Sequence, residues 1–157
     1  MLLAAQLHAA LDHPLGPGKA RFEIAARCVI NAAGVWVDAV RRIADSNAAP
    51  LITVSRGSHI VLDRRFMPGE SGLMIPKTPD GRVLFGIPWH GRLIVGTTDV
   101  PVDGPAWEPK PSENEIEFIL ETARGYLSTP PARDDVLSAF AGLRPLFSPG
   151  AHGATKT

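Results

Sequence analysis

Between Leu51 and Thr97 the chain is a series of short β-prone runs separated by turn residues, and this most restricts how it can fold. Leu51 to Val54, His59 to Leu62, Gly72 to Ile75, Arg82 to Pro88 and Leu93 to Thr97 each suit a strand. Thr78-Pro79-Asp80-Gly81 and His90-Gly91 interrupt the last three, each with a glycine that can take the positive φ of a tight turn. Runs this close together predict an antiparallel meander rather than strands joined by helical crossovers.

Helical signals flank the meander. Val37, Val40 and Ile43-Ala44 recur at helical spacing within residues 35–44, and Asp45-Ser46-Asn47 with Pro50 ends that run. Ser112 followed by Glu115 has the form of a capping box, and Ile116, Ile119, Leu120, Ala123 and Leu127 then follow at helical spacing until Pro130-Pro131. Residues 101–111 form a Pro/Gly-rich loop, and Val136 to Leu143 is a further strand. At the start, Met1 to Leu11 suits a short helix, and Phe22 to Ile24 and Cys28 to Asn31 suit strands. Two separated helices around a mostly antiparallel sheet define an α+β or α/β unit.

Charge and cysteine content narrow the function classes. Lysine plus arginine number 16, as do aspartate plus glutamate, for a formal charge of zero. No broad basic field is present to hold nucleic acid, so an anionic ligand would need a few placed groups. Cys28 is the lone cysteine; its apolar setting suits a buried strand thiol, and it excludes a cysteine-rich metal site. The five histidines lack close metal spacing, so no metal is expected. No apolar run reaches the roughly 18 residues of a membrane span. A reduced, intracellular setting is the expectation. Trp36, Trp89 and Trp107 are expected to pack, and Arg41-Arg42 and Arg64-Arg65 to face solvent.

Four constellations could carry chemistry. In Cys28-Val29-Ile30-Asn31-Ala32-Ala33-Gly34-Val35-Trp36 an apolar run meets small residues and then a helix, which suits either a diphosphate contact or an ordinary tight turn. His59, just after Arg56-Gly57-Ser58, is either a proton-transfer group or a structural histidine. Gly96-Thr97-Thr98-Asp99 could orient a ligand or hold a strand end through local hydrogen bonds. Arg144, in Gly142-Leu143-Arg144-Pro145-Leu146, calls for a phosphate, a carboxylate or an internal partner such as Asp99 or Glu70.

Taken in order, these stretches resemble the FAD-dependent glycerol-3-phosphate dehydrogenases. The likeness runs from about Ala26 to Leu146 and includes Arg82-Val83-Leu84-Phe85-Gly86-Ile87-Pro88-Trp89. It implies the antiparallel-sheet substrate (cap) domain of an FAD-dependent oxidoreductase, with an attached edge of the Rossmann-like FAD layer. Residues 1–48 would belong to the FAD domain, 49–147 to the substrate domain and 148–157 to a truncated tail. The implied reaction oxidises sn-glycerol 3-phosphate to dihydroxyacetone phosphate, with electrons passing to quinone. The implied location is the cytoplasm, peripheral on the cytoplasmic face of the inner membrane, and a homo-oligomer stays open.

By the same resemblance Ala33, Gly34 and Trp36 contact FAD, His59 is the candidate base near substrate, and Arg144 binds substrate, through its phosphate. The glycine-rich G-x-G-x-x-G fingerprint is absent, so the 157 residues alone are expected to be inactive fragments of a longer parent. Two alternatives remain. One is a glycine-oxidase-like amine or hydroxy-acid oxidoreductase, in which Arg144 would hold a carboxylate. The other is a non-catalytic α+β binding module.

Overall fold

The computed structural model describes residues 26–78 and 81–148. The helix expected at Met1 to Leu11, the strand at Phe22 to Ile24 and the tail after Ser148 lie outside them. A 3-10 turn, Gly34–Trp36, leads into helix α1, Val37–Ala44. Strands β1 (Ile52–Asp63), β2 (Leu73–Ile75), β3 (Leu84–Trp89), β4 (Arg92–Gly96) and β5 (Val100–Val102) follow. Helix α2, Glu113–Arg124, precedes β6, Ser138–Phe147.

Every strand pair is antiparallel. The long β1 is the axis of the sheet. β6 pairs along one side of it, from Ile52↔Phe147 to Val61↔Ser138. On the other side β4 covers His59↔Gly96 to Asp63↔Arg92, and β5 covers Val54↔Val102 to Arg56↔Val100. β3 and then β2 extend the sheet beyond β4. Between the β4 and β5 registers, Gly57 and Ser58 face the three residues Thr97, Thr98 and Asp99. The mismatch is a bulge, and Ser58 N–H bridges it by donating to the Thr98 hydroxyl at 2.9 Å.

Strand alternation divides the two faces. One face sends Ile60, Leu62, Leu84, Leu93, Val95 and Ile75 under α2, whose Ile116, Ile119, Leu120 and Ala123 complete a buried core. Each such leucine or isoleucine contributes about 1.5–3 kcal/mol by leaving water. The other face carries His59, Phe140 and Arg144 together with the exposed side chains of Met74, Phe85, Ile87 and Trp89.

The meander, both helices and the capping box match expectation. His90 and Gly91, at φ 45° and 75°, form the tight two-residue turn between β3 and β4. Several expectations need correction. Residues 52–63 form one strand rather than two, because Gly57 is paired with Gly142 and does not break the ladder. The loop expected at 101–111 begins with strand β5, where Pro101 sits opposite Ser55 in a short strand that needs no further donor. The last strand continues through Pro145 to Phe147, so Arg144 lies within a strand and not at its end.

Cys28 to Asn31 is not a strand, and Cys28 is exposed rather than buried. That run has no ladder partner among the described residues, and Val29 and Ile30 are 56% and 86% exposed. Trp89 and Trp107 are also exposed, although Trp107 stacks on Trp36 with ring centroids 4.7 Å apart.

Candidate functional site

Alternation within Arg56-Gly57-Ser58-His59 sends Arg56 and Ser58 toward α2, and Gly57 and His59 to the open face. The His59 ring lies against Gly96, its register partner on β4, where an added Cβ would overlap it. Its other partner, Phe140 on β6, stacks on it with centroids 5.1 Å apart and planes 10° apart. Nδ1 of His59 is enclosed and has no hydrogen-bond partner. Burial, and then the nearby Arg144 charge, hold the imidazole pKa below its ordinary 6.5. The ring is therefore mainly neutral at pH 7, the form able to accept a proton.

Arg144 reaches across from β6 so that its guanidinium covers Gly57. Nη2 donates to the Thr97 hydroxyl at 2.7 Å, and Nη1 donates to the Thr98 carbonyl at 3.1 Å and to Asp99 Oδ1 at 3.4 Å. Ser55, the register partner of Arg144, donates to the same Asp99 oxygen. Of the two internal partners considered for Arg144, Asp99 is used, whereas Glu70 lies beside Arg64. Gly57 is two residues from His59 on the same face, about 7 Å along the strand. The imidazole and the guanidinium are thus neighbours. An open cleft of about 280 Å³ lies beside the guanidinium, lined in part by Arg82, Thr97, Asp99, Arg144 and Leu146. His59 does not line that cleft.

The bare Gly57 is the seat of Arg144. Gly57→Ala is expected to break the guanidinium's bonds to Thr97 and Thr98 and to cost about 1–3 kcal/mol of stability through overpacking. Side-chain NMR of the Arg144 Nε–H and a thermal melt check both.

Behind this face, the Glu115 carboxylate is 4% exposed. It accepts from the Ser58 and Thr98 hydroxyls at 2.7 Å each and from Ser112 N–H and hydroxyl at 2.9 and 2.7 Å. Arg56 Nη2 lies 2.5 Å from Oε2, the oxygen that also accepts from Ser112. Burial pushes this carboxyl up, but the bonds from Ser112, Thr98 and Arg56 outweigh it and hold the pKa at about 2. One side chain thereby joins α2, β1 and the bulge that holds Arg144.

The small-residue turn packs against β6, the strand bearing Arg144. Asn31 clamps it, accepting from Ala33 N–H at 3.2 Å and donating to the Val37 carbonyl at 2.9 Å. Gly34 has φ 56° and nothing within 4 Å of where a Cβ would stand. Asp38 accepts from Leu51 and Ile52 N–H and from Arg41, which ties α1 to the start of β1. The Leu51 amide is the largest influence on its carboxyl and, against the opposing effect of burial, leaves the pKa lowered. Among the described residues no group of three or more His, Cys, Asp or Glu is placed to hold a metal. Glu115, Asn31 and Asp38, and the seating roles of Gly57 and Gly96, were not legible beforehand; only the capping-box spacing pointed to Glu115.

Residues 8–154 match the family model described as FAD dependent oxidoreductase. This chain belongs to that family. This chain is 46% identical over 129 residues to the mitochondrial glycerol-3-phosphate dehydrogenase of Mus musculus, covering 81% of this chain and 18% of the relative. It is 43% identical over 142 residues to the probable mitochondrial glycerol-3-phosphate dehydrogenase of Dictyostelium discoideum, covering 87% and 22%. The X-ray structure of the Bacillus halodurans glycerol-3-phosphate dehydrogenase complexed with FAD matches with TM-score 0.72 and 36% identity, over 81% of this chain and 26% of that one. This chain thus spans about a fifth of the length of these curated relatives.

Proposed function

We propose that this chain supplies the substrate-side sheet and one flavin-contacting turn of an enzyme that oxidises sn-glycerol 3-phosphate to dihydroxyacetone phosphate. The observation that carries this reading is the placement of an imidazole and a guanidinium side by side on one sheet face. The shared identity of the relatives as glycerol-3-phosphate dehydrogenases supports phosphate over carboxylate as the anion at Arg144.

The residues present fit FAD at one edge. Gly34, next to the small Ala33, leaves the turn's backbone open to a close approach, and Trp36 braces it through Trp107. FAD, when bound, supplies the acceptor for the hydrogen that leaves carbon as hydride. His59 accepts the hydroxyl proton, and with Nδ1 enclosed that acceptor is Nε2. Arg144 anchors the phosphate and thereby orients the reacting carbon, using binding energy remote from the chemistry.

In this reading residues 1–48 belong to the FAD domain, 49–147 to the substrate (cap) domain and 148–157 to a tail. Electrons pass onward to quinone, the parent sits peripherally on the cytoplasmic face of a membrane, and a homo-oligomer is compatible with the reading. Among the described residues no helix is long and apolar enough to cross a membrane.

Anaerobic mixing tests the substrate class. The FAD-loaded longer parent protein should lose its oxidised-flavin absorbance with glycerol 3-phosphate and keep it with sarcosine or glycine. Bleaching by the amines alone would move the assignment to a glycine-oxidase-like enzyme.

A further inference from the structure

We propose that Asp99 is a positioning residue for Arg144, held in place by Ser55, and that it aims the guanidinium rather than stabilising the fold. This rests on the reading of Arg144 as the phosphate anchor. An arginine side chain has many rotamers, and one that leaves an outer strand needs several fixed acceptors to point one way. Here they come from three consecutive residues of the bulge: the Thr97 hydroxyl, the Thr98 carbonyl and the Asp99 carboxylate. Asp99 is the one that carries charge. Its Oδ1 is fixed from below by the hydroxyl of Ser55, which is 2% exposed and stands opposite Arg144 in the β1–β6 register.

A purely structural ion pair explains this arrangement poorly. The Arg144 and Asp99 side chains are 37% and 48% exposed, and pairs so open to water contribute little to stability. A carboxylate beside an anion site also subtracts from the field that draws the anion in. Orientation is what remains. With the Thr98 carbonyl and Asp99 taking Nη1 and the Thr97 hydroxyl taking one N–H of Nη2, Nε–H and the second N–H of Nη2 are left in a set direction for a phosphate.

Two variants separate aim from charge. Asp99→Ala removes both acceptor and charge, whereas Asp99→Asn keeps Oδ1 as an acceptor for Ser55 and Arg144. Two readouts are used, both on the longer parent protein: the heteronuclear NOE of the Arg144 Nε–H, which needs no substrate, and the KM and kcat for glycerol 3-phosphate with FAD bound. Asp99→Ala is expected to lower the NOE and raise KM about tenfold with kcat changed less than about threefold. Asp99→Asn should restore both, and Ser55→Ala should shift both in the same direction as Asp99→Ala. An unchanged NOE in Asp99→Ala, or a KM at or below that of the wild type, overturns the proposal. A lowered NOE in a protein that fails to oxidise glycerol 3-phosphate keeps the positioning role and rejects the substrate assignment.

Discussion

Replacing His59 with glutamine is expected to lower turnover of glycerol 3-phosphate by about 10²–10⁴-fold, the range for losing a general base, while KM changes only a few-fold. Glutamine keeps a polar planar group against Gly96 and Phe140, so the loss should be in chemistry rather than folding. In the wild type, kcat/KM should fall as acid protonates the imidazole. That limb should lie below pH 6.5, because burial and the Arg144 charge both disfavour the imidazolium. In His59→Gln the limb should vanish. A pH profile of both proteins checks this, and a retained limb in the variant would move the base elsewhere.

Glu115→Ala is expected to have the largest effect on stability, about 3–5 kcal/mol, the cost of breaking a buried ion pair and stranding its partner. Arg56, whose Nε already lacks a partner, would keep its charge without the carboxylate, and the Ser58 and Thr98 hydroxyls would lose their acceptor. The same network sets a pH response. Folded Glu115 titrates at about 2 against an ordinary 4.5, so its stabilisation is present above pH 4.5 and is lost as pH falls from there through about 2. Denaturant melts between pH 2 and 6 should show this slope in the wild type and a flatter one in Glu115→Ala. Equal slopes would contradict a charged Glu115 in the folded state.

The sheet was legible because its cues are local. Glycine-bearing turns set the meander, and Ser112 with Glu115 set the start of α2. Long-range pairing was not legible. Nothing near Gly57 indicates that β6 lies beside it and keeps β1 continuous, and nothing near Arg144 indicates that its strand runs on to Phe147. The site followed the same division. His59 and Arg144 stood out as polar residues in apolar surroundings. Their seats on Gly96 and Gly57 arise only when strands 37 and 87 positions apart in sequence align, and a glycine's emptiness has no signature of its own. Glu115 appeared as a local cap because spacing reports the helix, whereas its bonds to Ser58 and Thr98 depend on where that helix docks. Cys28 was misplaced for the converse reason: an apolar run implies burial only when something covers it.

The pairing of His59 with a phosphate-holding Arg144 is tested most directly by comparing glycerol 3-phosphate with glycerol as reductants of the FAD-loaded Arg144→Ala variant. If Arg144 holds the phosphate, kcat/KM for glycerol 3-phosphate should fall by about 10²-fold, the scale of a lost charge-assisted contact, while the slow rate with glycerol stays unchanged. A preference for glycerol 3-phosphate that survives intact in the variant would contradict the assignment.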